Sequence, residues 1–194
     1  ATQQEVKKSN IKSVLISSYK DIWPKIGENY INQIKNSFGE SKYFIDKMPY
    51  NFLNIGIIQR ALPQSKIIHI YRNKNDNLLS LYQQRFDEGN AYTHDIESLK
   101  TYYNEYTELM DFWNLEYKKD IYKISYESII HEFNHTISKL TEWLEINYTK
   151  EMEDFHLNKK STNTASNAQV RMKLNTKGID KYKNYIKYLP ELFN

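Results

Sequence analysis

The spacing of apolar positions changes several times along the chain, and each change predicts an element. Ile67, Ile68 and Ile70 form a short β-branched run, as in a buried strand. The chain is polar from Arg72 to Asn77, then Leu78, Leu79, Tyr82 and Phe86 recur at helical spacing. Residues 66–86 therefore predict strand, loop, helix. Upstream, Val14, Leu15, Ile16 and Tyr19 cluster, Pro24 interrupts, and Ile31, Ile34 and Phe38 resume a helical pattern that stops at Gly39, Glu40 and Ser41. Tyr43, Phe44 and Ile45 predict a second buried strand. It ends at Asp46-Lys47-Met48-Pro49, because the residue before proline is pushed out of the helical region. Asn51 opens a helix carrying Phe52, Ile55, Ile58 and Leu62.

Farther on, Asp95 is placed to cap a helix with the stripe Leu99, Tyr102, Tyr103, Tyr106, Leu109, Met110 and Trp113. Residues 121–126 alternate as a third strand. Residues 129–144 predict one amphipathic helix through Ile130, Phe133, Ile137, Leu140 and Trp143. Residues 157–178 are polar and irregular, and 179–193 read as a last helix interrupted near Pro190. Strands alternating with longer helices predict an α/β fold, a parallel sheet covered by helices. Ligands in such sheets sit at the carboxyl ends of the strands. Lys47, Arg72 and the pair Tyr126-Glu127 all fall there.

Arg72 and Ser80 are eight residues apart. A guanidinium at a strand end and a hydroxyl in the following helix could grip one phosphate from two sides, with the helix start adding its own positive end. The alternative is an arginine paired with a carboxylate and a serine facing water.

Composition narrows the classes. The 194 residues suffice for one domain with a sizeable core, and 17 Tyr and 8 Phe provide bulky filling for it. A net charge of +3 is too weak to point to nucleic acid and suits a small anionic ligand equally. The absence of cysteine excludes disulfides, zinc–thiolate sites and cysteine nucleophiles. No apolar run approaches about 18 residues, so no membrane-spanning helix is expected. With no signal-peptide pattern, a cytoplasmic location is expected.

Five stretches then combine: Asp-Lys-Met-Pro-Tyr-Asn-Phe from residue 46, Ile-Ile-His-Ile-Tyr-Arg-Asn from 67 with Leu-Ser-Leu-Tyr from 79, Ser-Tyr-Glu-Ser from 125, Thr-Ala-Ser-Asn-Ala-Gln-Val-Arg from 164, and Tyr-Lys-Asn-Tyr from 182. In this order, across roughly residues 40–190, the chain resembles a sulfotransferase. It is most similar to bacterial members linked to tetratricopeptide repeats and akin to protein-tyrosine sulfotransferases. The resemblance implies a P-loop-NTPase-like parallel sheet flanked by helices. It implies transfer of a sulfuryl group from 3′-phosphoadenylyl sulfate (PAPS) to a hydroxyl or amine, leaving the bisphosphate PAP, with no metal required. The acceptor stays open among small molecule, carbohydrate and peptide.

Carried over residue by residue, the resemblance implies that Arg72 and Ser80 clamp the 3′-phosphate and that Tyr126 helps hold that end. It places Lys47 and Ser166 near the transferring group. It makes residues 166–175 part of a segment folding over the nucleotide, followed by a lysine, either Lys177 or Lys181. The implied layout is one sulfotransferase domain: a helical segment 1–39, an α/β core 40–150, a nucleotide-covering loop 157–178 and a carboxyl-terminal helix 179–194.

The family's first strand and its Pro-x-Ser/Arg-Gly-Thr-Thr loop, which cradles the 5′-phosphosulfate through backbone N–H groups, have no counterpart in the sequence; Gly39-Glu40-Ser41-Lys42 lacks the threonines. The acidic base is likewise unassigned, with Glu5 near its place but without a motif. The expectation is the carboxyl-terminal part of such a domain, with an exposed sheet edge that a homo-oligomer would cover. The alternative function is a non-catalytic nucleotide-binding or interaction module on the same fold. Of the remaining candidates, His69 is read as a packed strand histidine rather than a base. His131 and His135, four apart, are read as surface residues rather than a zinc pair. Trp113 and Tyr102 to Tyr106 are read as core.

Overall fold

The computed structural model describes residues 22–84, 86, 89–158 and 171–194. Its chain forms two compact units, Ala1–Ser65 and Lys66–Asn194.

In the first unit, helix α1 (Ile22–Phe38) packs on the short helix α2 (Ile55–Ala61), which follows a 3-10 segment over Pro49–Asn54. Pro24 lies in the first turn of α1, where its missing N–H costs no helical bond, so it does not break the helix. Gly39 ends α1 at φ 81° and donates its N–H to Lys35 O at 2.8 Å, the left-handed stop expected there. The two helices meet at Gly27: a Cβ on it would lie 1.9 Å from Ala61 O. Residues 43–48 carry no regular secondary structure, so the strand expected at Tyr43–Ile45 is absent. Among the described residues it finds no ladder partner, and an isolated extended segment is not stable as a strand. Ile45 is 90% exposed. Met48 is extended (φ −122°, ψ 121°), as a residue before proline should be.

The second unit is built on strand β1 (Ile67–Tyr71) and strand β2 (Ile121–Ser125), paired in parallel from Ile67↔Ile121 to Tyr71↔Ser125. A parallel pair needs a long crossover, supplied here by helix α3 (Lys74–Gln83) and helix α4 (Ile96–Glu116). Both helices start where their caps place them. Asn73 accepts from the N–H of Asn75 and Asp76. Asp95 accepts from Ser98 N–H at 2.8 Å, and the Ser98 hydroxyl, then this N–H, hold its carboxyl below the ordinary range. The region expected as one helix over 129–144 is two, α5 (Tyr126–His131) and α6 (Phe133–Trp143), broken at Glu132 (φ −135°, ψ 47°). His131 and His135 therefore do not share one continuous helical face. The expected last helix is instead a 3-10 turn, Lys181–Asn184, and a single short helix α7 (Pro190–Phe193).

Leu78, Leu79, Leu99 and Leu192 are fully buried and draw in Tyr82, Tyr103, Tyr182, Tyr185 and Phe193. The core thus joins α3 and α4 to the chain's last residues. The fold is helix-rich α/β with a small parallel ladder, two strands among the described residues rather than three. No described helix is long and apolar enough to cross a membrane.

Candidate active site at the strand ends

The ladder register decides what meets at its carboxyl end. Tyr71 is paired with Ser125, so the next residues, Arg72 and Tyr126, leave the two strands side by side. Arg72 is held over the Tyr126 ring, 5.2 Å from its centroid, within cation–π range. Ser125 caps α5 through Ser128 N–H at 2.9 Å, which fixes Tyr126 at the helix start. Beside it, Glu127 Oε1 accepts the backbone N–H of Asn73 at 3.0 Å. That bond ties the two strand exits together.

A third segment closes on this corner from more than a hundred residues away. Arg72 Nη2 donates to the carbonyl of Gly178. A Cβ on Gly178 would sit 3.1 Å from Arg72 Nη2 and 3.4 Å from the Tyr126 hydroxyl. Gly178 is outside the left-handed region, so space rather than backbone conformation explains the glycine. The next residues are fastened to α3: the Asp76 carboxylate accepts from Asp180 N–H at 2.7 Å and Tyr182 N–H at 2.9 Å, and Lys181 donates to Gln83 Oε1 at 2.8 Å. Arg72 Nε–H is buried and has no partner among the described residues. A buried guanidinium N–H without an acceptor is costly and would be satisfied by an anion.

Of the residues singled out from sequence, the structure thus gathers Arg72, Tyr126 and the Lys177–Lys181 segment. Ser80 lies on α3 four residues after Asp76, hence on the same face, and is exposed; no hydrogen bond joins it to Arg72 among the described residues. Lys177 and Lys181 are both exposed. Lys47 is exposed in the first unit. Ser166 and Glu5 lie outside the described residues. Gly178 and Asp76 were missed. Asp76, in the first turn of a helix, reads from sequence as a complement to the helix dipole, and nothing local announces a partner 104 residues away.

His69 is bonded at one ring nitrogen, and its buried Nδ1 has no partner among the described residues. Its Nε2 is 2.5 Å from the Tyr106 hydroxyl. Burial, and then Lys123 across the ladder, push it down to about 4, while burial pushes Tyr106 up to about 12. It is a neutral, packed imidazole and a weak proton acceptor. Among the described residues, no group of three or more His, Asp or Glu is arranged to hold a metal ion.

Residues 7–150 match the profile described as the Sulfotransferase family. The chain belongs to that family. A protein of Caenorhabditis briggsae named "Putative protein-tyrosine sulfotransferase" is 26% identical over 159 residues, covering 77% of this chain and 56% of that protein. An uncharacterized protein of Aquifex aeolicus (strain VF5) is 28% identical over 163 residues, covering 82% of this chain and 21% of that protein. The chain thus spans about half of one relative and about a fifth of the other. No solved structure matches. The sulfotransferase match includes Arg72, Ser80 and Tyr126 and stops before Gly178, so the place of the 177–182 segment at the site rests on geometry.

Proposed function

We propose that the chain is the part of a PAPS-dependent sulfotransferase that holds the 3′-phosphate end of the donor, on a P-loop-like sheet, and contributes to sulfuryl transfer to a hydroxyl or amine. The observation that carries this reading is the Arg72 corner: a guanidinium over the Tyr126 ring, one buried N–H without an acceptor among the described residues, and a facing residue with no side chain. Those features fit a phosphate. Nε–H offers a donor, Nη2 would exchange Gly178 O for a charged oxygen, and the bare Gly178 Cα leaves room. Charge-assisted bonds of this kind are the stronger ones. Ser80, Lys177 and Lys181 supply further donors around the same face of α3. Tyr126 packs beside the phosphate and its attached ribose.

In this reading Lys47 and Ser166 serve the other end of the donor. The sulfur–oxygen bond to the nucleotide breaks as a new one forms to the acceptor oxygen or nitrogen, and the acceptor's proton leaves to a base. Catalysis is then mainly positioning and offset of charge on the departing nucleotide. A lysine and a hydroxyl that meet that charge accelerate transfer because they bind it better in the transition state than in the ground state. The reading takes the chain as one sulfotransferase domain and places the acceptor, a small alcohol, a carbohydrate or a peptide tyrosine, beyond the donor's sulfuryl end.

The test is calorimetric titration with PAP. Arg72→Ala should weaken PAP by about 1.5–3 kcal/mol, the value of a charged hydrogen bond, and should not alter the affinity of adenosine 5′-phosphate, which lacks the 3′-group. Equal PAP affinity in the variant and the parent chain would reject the clamp. PAP binding without sulfuryl transfer from PAPS, with the family's phosphosulfate loop supplied upstream, would favour the nucleotide-binding module.

A further inference from the structure

We propose that Asp76 is a positioning residue: it seats residues 178–182 as a strap against α3, and thereby sets the pocket in which Arg72 receives its anion. The proposal rests on the phosphate reading of Arg72 and adds to it the residue that holds the facing wall in place.

Asp76 is 1% exposed. A carboxylate taken from water to that depth is unfavourable unless its oxygens are fully bonded. Here both oxygens are served by the strap's backbone, Oδ2 by Asp180 N–H at 2.7 Å and Oδ1 by Tyr182 N–H at 2.9 Å. The two donors are two residues apart, so one planar group fixes both the position and the direction of the strap. Asp180 sits at φ 57°, a left-handed conformation that is uncommon outside glycine and that aspartate tolerates better than most residues.

The gripped residues lie immediately beyond Gly178. With Asp180 pinned, Gly178 can move little from Arg72 Nη2 and the Tyr126 hydroxyl. The same grip aims the intervening side chain: Lys181 reaches Gln83 on α3, at 2.8 Å. Lys183 closes the turn on Asp180 at 2.7 Å. Tyr182 also packs its ring near Phe193, with centroids 5.7 Å apart. The far end of the strap is therefore anchored in the core without Asp76. Loss of the carboxylate should free residues 177–181 and leave the rest of the unit folded. An ordinary helix-start carboxylate would stabilise α3 and have no special link to an anion bound at Arg72.

Two measurements on the full chain decide it. In the parent chain, amide hydrogen exchange should show Asp180 and Tyr182 protected at least a hundredfold over an unfolded chain, with Lys177 and Lys181 exchanging fast. In Asp76→Asn, PAP should bind about tenfold more weakly, while adenosine 5′-phosphate stays within twofold. Unprotected Asp180 and Tyr182 amides overturn the strap, and so does an unchanged preference for PAP in the variant. An equal loss for both ligands assigns Asp76 a general structural role and also overturns it. If the variant does not fold, exchange in the parent chain still decides. If the parent chain shows no preference for PAP over adenosine 5′-phosphate, the Arg72 reading fails, whereas amide exchange still judges the strap separately.

Discussion

Gly27 and Gly178 are both places where an added side chain would crowd a neighbour, yet the neighbours are of opposite kinds. At Gly27 the missing Cβ lets α1 lie against the backbone of α2, with Ala61 O 1.9 Å from where the Cβ would be. The obstacle is main chain, in a packed contact. At Gly178 the obstacle is the tip of Arg72, 3.1 Å away, and the Tyr126 hydroxyl. Those are polar side-chain ends at the carboxyl end of two parallel strands. The first glycine serves cohesion, and at the second an added Cβ would press on the Arg72 guanidinium and the Tyr126 hydroxyl. A short contact thus does not say whether a glycine is structural; the partner atom does.

Substitutions at the two positions should separate the two roles. The largest effect should come from Gly27→Ala. Overpacking against backbone typically costs about 1–3 kcal/mol, and here the helices themselves must shift, so the upper end is expected. Urea denaturation of the first unit's signal checks it. Gly178→Ala should cost stability less than about 1 kcal/mol, because a flexible guanidinium can retreat by a few tenths of an ångström. It should nevertheless weaken PAP about tenfold, which corresponds to about 1.4 kcal/mol. A variant that loses stability and keeps its affinity would place Gly178 with Gly27 and remove the contrast.

A pH experiment sharpens the comparison from the buried side of the sheet. His69 holds a value of about 4 in the folded chain, against about 6.5 when unfolded. As pH falls, the unfolded chain takes up this proton first. The folded state is therefore unaffected above about pH 6.5, loses stability progressively between about 6.5 and 4, and has no further loss from this group below. In His69→Gln the fall in melting temperature across that window should be shallower than in the parent chain. Parallel curves would mean that the imidazole is solvated and that the ladder face is open. The smallest effect is expected at Lys47, exposed in the first unit. Lys47→Ala should shift stability by no more than about 0.5 kcal/mol. If the proposed role at the sulfuryl end is right, it should lower the transfer rate while PAP affinity stays unchanged.

Local chemistry carried much of the molecule. The β-branched run at Ile67 to Ile70, the cap at Asp95, the glycine stop at Gly39 and the extended residue before Pro49 depend on neighbours within a few positions, and each is visible in the one-dimensional pattern. So is Arg72 as a cation where a strand ends. Other features were out of reach of any local rule. Tyr43 to Ile45 had the composition of a strand and no ladder to join, since strand formation depends on a partner and not on the segment. The break at Glu132 divides a stretch whose hydrophobic period runs straight through it.

The site shows the same division. Sequence by itself determined the family, through its ordered motifs and the profile match over residues 7–150, and it placed Arg72 at a strand end, because strand, loop and helix around it are encoded by period and caps. Only the tertiary structure decided that Tyr71 would pair with Ser125, which sets Arg72 beside Tyr126. It alone decided that Gly178 would face them both, and that Asp76 would bind two backbone N–H groups 104 and 106 residues away. Those contacts follow from ladder register and from the burial of a carboxylate that had to find donors. Neither register nor burial exists until the chain is packed.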